Sequence, residues 1–229
     1  MRDSMPPLVL LLIVVSAGLA IYGEEAQPPR RRLVYLFKPL TTIVILGVAL
    51  ALGSIAPTVY AVGIVVGLVC SLAGDIFLML PQDRFLPGLV AFLLAHLAYL
   101  WAFTRLVPFG ASPAVFLGVA AVEAAIVWIL WRGVPVRMRL PVIAYVAVLG
   151  LMVAQSLSQA ITLSTRPAWM AALGGVLFLL SDSTLAFDRF RRRFRGARLL
   201  VLTTYWGAQT LFAVSVLLPL SLNPHLLVL

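Results

Sequence analysis

Eight stretches of about 20 mostly apolar residues, separated by short loops that carry most of the charge, dominate this sequence. They fall at roughly 6–23, 33–53, 58–80, 86–105, 112–131, 140–164, 168–187 and 199–221. An apolar helix of that length crosses the hydrocarbon core of a bilayer while satisfying its own backbone polar groups. A soluble fold is excluded on the same ground. With 62% hydrophobic and 11% charged residues and a mean hydropathy of +1.08, there is too little polar surface to cover a water-facing globule. The expected fold is all-α: a polytopic bundle of about eight transmembrane helices forming a single integral membrane domain over residues 1–229. The first run has some look of a signal peptide, ending in Ser16-Ala17-Gly18-Leu19-Ala20, but Asp3 offsets its leading Arg2, and it is read as a retained helix.

The net charge of +9 is a topology signal before it is anything else. Sixteen of the 17 basic residues are Arg, and 13 of them lie in the loops after the first, third, fifth and seventh runs, against Arg2, Arg105 and Arg166 on the other side. The positive-inside rule places those odd loops in the cytoplasm and both termini outside. Nucleic-acid binding is not expected from basic loops of this kind. The run from Arg189 to Arg198 also suits anionic lipid headgroups. Cys70 stands alone, and His96 and His225 are too few for a three-histidine site, so neither a disulfide nor a metal or other cofactor is expected.

Ionisable side chains inside spans are costly and are functional candidates by default. Here they are Lys38, Asp75, Glu123 and Asp182, joined by His96. Counting from the cytoplasmic ends at 1.5 Å per residue, Lys38, Asp75 and Asp182 share one level roughly 8 Å below the boundary. Tyr145 and Tyr205 enter at similar depth, and Glu123, His96 and Gln209 lie deeper. Taken singly, most have bland explanations: Lys38 snorkelling to the interface, His96 in helix packing, the tyrosines as interfacial aromatics, Glu123 paired with an Arg. The two short aspartates do not reach water easily from that depth. They are expected to line a cavity open toward the cytoplasmic leaflet. Gly74-Asp75 and Ser181-Asp182 also end spans of the same orientation, a weak sign of internal duplication.

Several segments resemble the YhhN-like lysoplasmalogenase family. These are Lys38-Pro39; Ser71-Leu72-Ala73-Gly74-Asp75 with Leu78-Met79; Phe92 through His96 to Tyr99; Phe178 through Ser181-Asp182; and Tyr205 with Gln209. The ordered set covers most of the chain, although no single motif is decisive. The resemblance implies a multi-spanning membrane hydrolase that cleaves the vinyl ether bond of lysoplasmalogens, giving a fatty aldehyde and a glycerophospho-ethanolamine or -choline. The lysophospholipid substrate would be drawn from the bilayer, and the protein would sit in a cell (bacterial inner) membrane.

Vinyl ether hydrolysis needs an acid to protonate carbon, a negative group facing the oxocarbenium ion, and a base for water. Two carboxyl groups in a low-dielectric site can divide those tasks. The expected catalytic set is Asp75 and Asp182, with His96 and Tyr205 orienting water or relaying protons. Lys38 is expected to neutralise the site or hold the phosphate, and Tyr99, Gln209, Ser71 and Ser181 to contact substrate. A transporter or lipid-binding protein would use the same buried cluster in another way. An intramembrane aspartyl protease is disfavoured because neither a Gly-x-Gly before Asp182 nor a later Pro-Ala-Leu is present.

Overall fold

The computed structural model describes residues 6–55 and 58–222, all helix and connecting turns without strand. Arg2, Asp3 and His225 lie outside the described residues. The helices are α1 (Pro7–Glu25), α2 (Arg31–Ile55), α3 (Val59–Met79), α4 (Phe85–Phe103), α5 (Pro113–Leu130), α6 (Val136–Leu163), α7 (Arg166–Phe190), α8 (Ala197–Ser215) and the short α9 (Leu218–Leu222). Among the described residues, seven helices, α1 to α7, are long and apolar enough to cross a membrane. The eighth expected span is the 19-residue α8. It falls short in apolarity because it carries Thr203, Thr204, Tyr205, Gln209 and Thr210, most of which face its neighbours. It also ends at Ser215, before the expected limit, and the chain restarts as α9 after a turn.

The bundle has an internal two-fold pattern. α1 packs on α2, α2 on α3 and α3 on α4; α5 on α6, α6 on α7 and α7 on α8 repeat this order. Two crossed contacts, α4 on α6 and α2 on α8, join the halves. The match extends to residues. Thr58 and Thr165 cap α3 and α7, their side chains accepting from the backbone N–H of Ala61 and Ala168. Gly67 and Gly174 stand eight residues before Asp75 and Asp182. Each leaves room for a ring of the following helix, Tyr99 on Gly67 and Phe212 on Gly174. Both α2 and α6 contain a proline in an early turn, Pro39 and Pro141.

The halves differ in one place. α1 closes onto α8, but α5 makes no comparable contact with α4. With only 11% of its span buried, α5 is the most loosely held of the seven. The centre of the bundle, by contrast, is filled by rings. Phe178 stacks on Phe212 at 6.3 Å, Phe212 meets Tyr99 at 4.6 Å and Phe103 at 5.6 Å, and Phe103 meets Tyr60 at 6.1 Å.

Because a methyl group at Gly67 or Gly174 would overlap the facing ring, Gly67→Ala and Gly174→Ala are expected each to cost about 1–3 kcal/mol by overpacking. Gly47→Ala, with nothing within 4 Å of the added carbon, should be neutral or slightly stabilising. Unfolding in detergent measures all three.

Candidate active site

Asp75 lies four residues before the end of α3. Its Oδ2 accepts hydrogen bonds from Thr42 Oγ1 on α2 and Tyr205 OH on α8, each at 2.7 Å. Lys38 Nζ stands 4.0 Å from Oδ1. Lys38 and Thr42 are four residues apart, so one face of α2 presents both to the carboxylate. Trp206 Nε1 in turn donates to Thr42 Oγ1 at 3.2 Å. Lys38 is only 5% exposed, so its amine points into the bundle and does not snorkel. A carboxylate buried this deeply is tolerated because its oxygens are occupied by donors and a cation.

Asp182 on α7 is arranged in the same way from the other half. Tyr145 OH on α6 donates to its Oδ2, and His96 Nε2 on α4 lies 3.9 Å from the same oxygen. His96 is wholly buried, edge-on to the rings of Phe178 at 4.7 Å and Tyr145 at 5.1 Å. Neither of its ring nitrogens has a hydrogen-bond partner among the described residues. Each aspartate therefore draws on the helix before it and on the last helix of the opposite half.

Both aspartates line a single polar cavity, together with Lys38, Ser181, Arg198, Tyr205 and Glu24. Ser181 also donates to the Val201 carbonyl at 3.0 Å, fixing α7 against α8. A second, apolar cavity lies where α5 fails to close on α4, walled by residues such as Leu89, Ile126, Val142 and Leu179. Leu78, Phe92, Leu185 and Asp182 border both cavities. Asp182 thus stands at the boundary between a charged chamber and a greasy one.

The remaining expected residues are placed apart. Tyr99 OH donates to Gln209 Oε1 at 2.6 Å and lies 3.4 Å from Ser71 Oγ. The three form a separate buried group and line neither cavity. Glu123 pairs with no Arg among the described residues but lines the apolar cavity, as does Tyr145. Within the Arg189–Arg198 stretch, Arg189 bonds both carboxylate oxygens of Asp83 at 2.9 Å and covers the ring of Phe85. That pair is exposed and contributes little to stability. Thr42, Trp206, Glu24 and Arg198 were not anticipated as site residues. Thr42 had a signal, its four-residue spacing from Lys38; Glu24 and Arg198 sit at helix ends, where charge is commonplace.

The model of the YhhN family matches residues 33–216. This chain belongs to the YhhN family. It is similar to the lysoplasmalogenase TMEM86B of Sus scrofa, 38% identical over 160 residues that make up 69% of this chain and 65% of the relative. The lysoplasmalogenase TMEM86B of Homo sapiens is 36% identical over 153 residues, 66% of this chain and 61% of the relative. The uncharacterized membrane protein YhhN of Escherichia coli O157:H7 is 28% identical over 213 residues, 91% of this chain and 98% of the relative. The chain thus spans slightly under two thirds of the length of the mammalian relatives it matches. No solved structure matches it. The YhhN match takes in both aspartates and every side chain bonded to them, and leaves all of α1, with Glu24, outside.

The Lys38–Asp75 pair of this YhhN-family bundle should be measurable by a double-mutant cycle. Lys38→Met and Asp75→Asn are each expected to destabilise, and the double variant to recover an interaction energy of about 0.5–3 kcal/mol. Thermal unfolding in detergent reads the cycle.

Proposed function

We propose that this YhhN-family protein is a membrane-embedded hydrolase that cleaves the vinyl ether bond of lysoplasmalogens or a closely related lysolipid. The observation that carries the reading is the position of Asp182, on the border between a cavity suited to a headgroup and one suited to a hydrocarbon chain, with Asp75 across the polar side. Lys38 and Arg198 would hold the phosphate, the alkenyl chain would lie in the apolar cavity, and the reacting bond would sit between the carboxyl groups. The names of the mammalian relatives support the same substrate class.

The chemistry is assigned from those positions. Asp182, facing the chain, protonates the second carbon of the alkenyl group, and the oxocarbenium ion forms at the first. Asp75, fixed by Thr42 and Tyr205, faces that cation and takes a proton from the incoming water, whose oxygen bonds to the first carbon. The hemiacetal then breaks its bond to the glycerol oxygen. That oxygen receives the proton held on Asp75, and the hemiacetal hydroxyl proton returns to Asp182. The net reaction adds one water and releases aldehyde and alcohol. Tyr145 and His96 orient Asp182, while Tyr99, Gln209 and Ser71 support the layer beneath.

The Arg-rich end, where Arg198 meets the polar cavity, faces the cytoplasm in this proposal, and its other arginines meet anionic headgroups. A transport role is less well supported, because the ring column of Phe178, Phe212, Tyr99 and Phe103 fills the bundle between this cavity and the far end.

Asp75→Asn and Asp182→Asn should each lower aldehyde release from lysoplasmenylethanolamine by at least about 10²-fold while the protein stays folded by thermal unfolding. Tyr205→Phe, which removes one hydrogen bond to a charged group, should cost roughly 10- to 100-fold. Wild-type turnover in both aspartate variants would refute the pair. Release of fatty acid from ester lysolipids, with no aldehyde from vinyl ethers, would reassign the substrate.

A further inference from the structure

Glu123 is, among the described residues, the buried carboxyl group that the proposed reaction does not use. It is 7% exposed, its Oε1 has no hydrogen-bond partner among the described residues, and it joins none of the three ion pairs. In a bilayer-spanning bundle an unsatisfied carboxyl is destabilising, so its retention calls for a polar partner that comes and goes.

Its place in the fold indicates which. Besides the apolar cavity, Glu123 lines an outer cleft between α5 and α6, and Val127 and Val146 also border both. Every other residue lining that cleft is apolar. Glu123 fits at the neck between the two spaces because residue 150 is glycine: a Cβ there would overlap its carboxylate. On the lipid side the cleft is edged by small residues such as Ala120, Ala124 and Ala147, all three exposed. The two spaces read as one passage, running from Asp182 past Glu123 to the bilayer, along the helix that is least packed.

The products of the proposed hydrolysis differ in where they go. The glycerophospho-alcohol is water-soluble and leaves through the polar cavity. The fatty aldehyde is a hydrocarbon with one new acceptor, its carbonyl oxygen, and the substrate chain has no acceptor beyond the ether. A carboxylic acid at the neck can donate its O–H to that carbonyl as the chain slides outward. We infer that the fatty aldehyde leaves sideways into the bilayer between α5 and α6, with the Glu123 carboxyl as the group that receives its carbonyl at the neck. This inference rests on the hydrolase reading for the identity of its ligand.

The test uses the full chain in phosphatidylcholine nanodiscs with octadecenyl lysoplasmenylcholine. Glu123→Leu and Ala147→Trp should lower kcat about tenfold and leave the single-turnover rate of bond cleavage unchanged, because release and not chemistry is slowed. Glu123→Gln, which keeps an N–H donor, should stay near wild type. An octenyl substrate, whose aldehyde escapes to water, should erase the defect. Unchanged kcat in both Glu123→Leu and Ala147→Trp overturns the exit route, as does an equal loss in single turnover. Loss in Glu123→Gln equal to that in Glu123→Leu overturns the carbonyl contact. A diazirine-bearing octadecanal gives a readout free of catalysis. It should label α5 and α6 around Glu123 in the wild type and lose that labelling in Ala147→Trp; labelling elsewhere overturns the passage. If the wild type cleaves no vinyl ether, the hydrolase reading fails, and the labelling still decides the aldehyde cleft on its own.

Discussion

A carboxylate inside a membrane bundle must be answered by neighbouring side chains, and in this protein that requirement decides which helices meet. Asp75 is held from α2 and α8, by Thr42 with Lys38 nearby and by Tyr205; Asp182 is held by Tyr145 on α6, with His96 of α4 close by. Each set draws on both halves of the chain. Withdrawing one partner from such a group would leave it uncompensated in a medium that supplies no replacement. Sliding or rotating any of these helices by one residue breaks several of the contacts at once. The glycines at 67 and 174 serve the same geometry, since they let α4 and α8 approach closely enough to bring their polar groups into line.

Two similar halves nevertheless build two unlike chambers. The polar cavity is bounded by α1, α2, α3, α7 and α8, with Phe92 of α4, and α1 seals the outer side against α8. At the equivalent place in the other half, α5 stands off from α4, and the gap becomes the apolar cavity. An amphiphilic molecule needs that asymmetry. One carboxyl group, Asp182, is shared between the chambers, and its equivalent, Asp75, belongs to the polar one alone.

The helices were legible because the bilayer imposes a length and an apolarity that short loops cannot imitate; most of the expected limits fall within a few residues of those observed. α8 was the hardest to delimit, since the side chains that serve the cluster dilute its hydropathy. The shared depth of Lys38, Asp75 and Asp182 was legible from residue counting. Which groups bond was not, because that depends on helix rotation: Tyr145 had no feature in the sequence to separate it from an interfacial aromatic, yet it bonds Asp182 directly. Gln209 follows Tyr205 by one turn, so it shares a face with it but joins Tyr99 one layer lower. A cavity between the two aspartates was expected from their depth, whereas the apolar chamber was not legible, since it arises from a contact that α5 does not make.

The packed rings of Phe178, Phe212, Tyr99 and Phe103 have an electrical consequence. They put a fully buried layer of rings between the acidic pair and the opposite face. The polar way to the pair runs through the cavity lined by Lys38 and Arg198, and a proton exchanged there returns to the side it came from. A proton exchanged in that way is never carried from one face of the membrane to the other, so the bundle can hold ionisable groups inside a bilayer without acting as a leak.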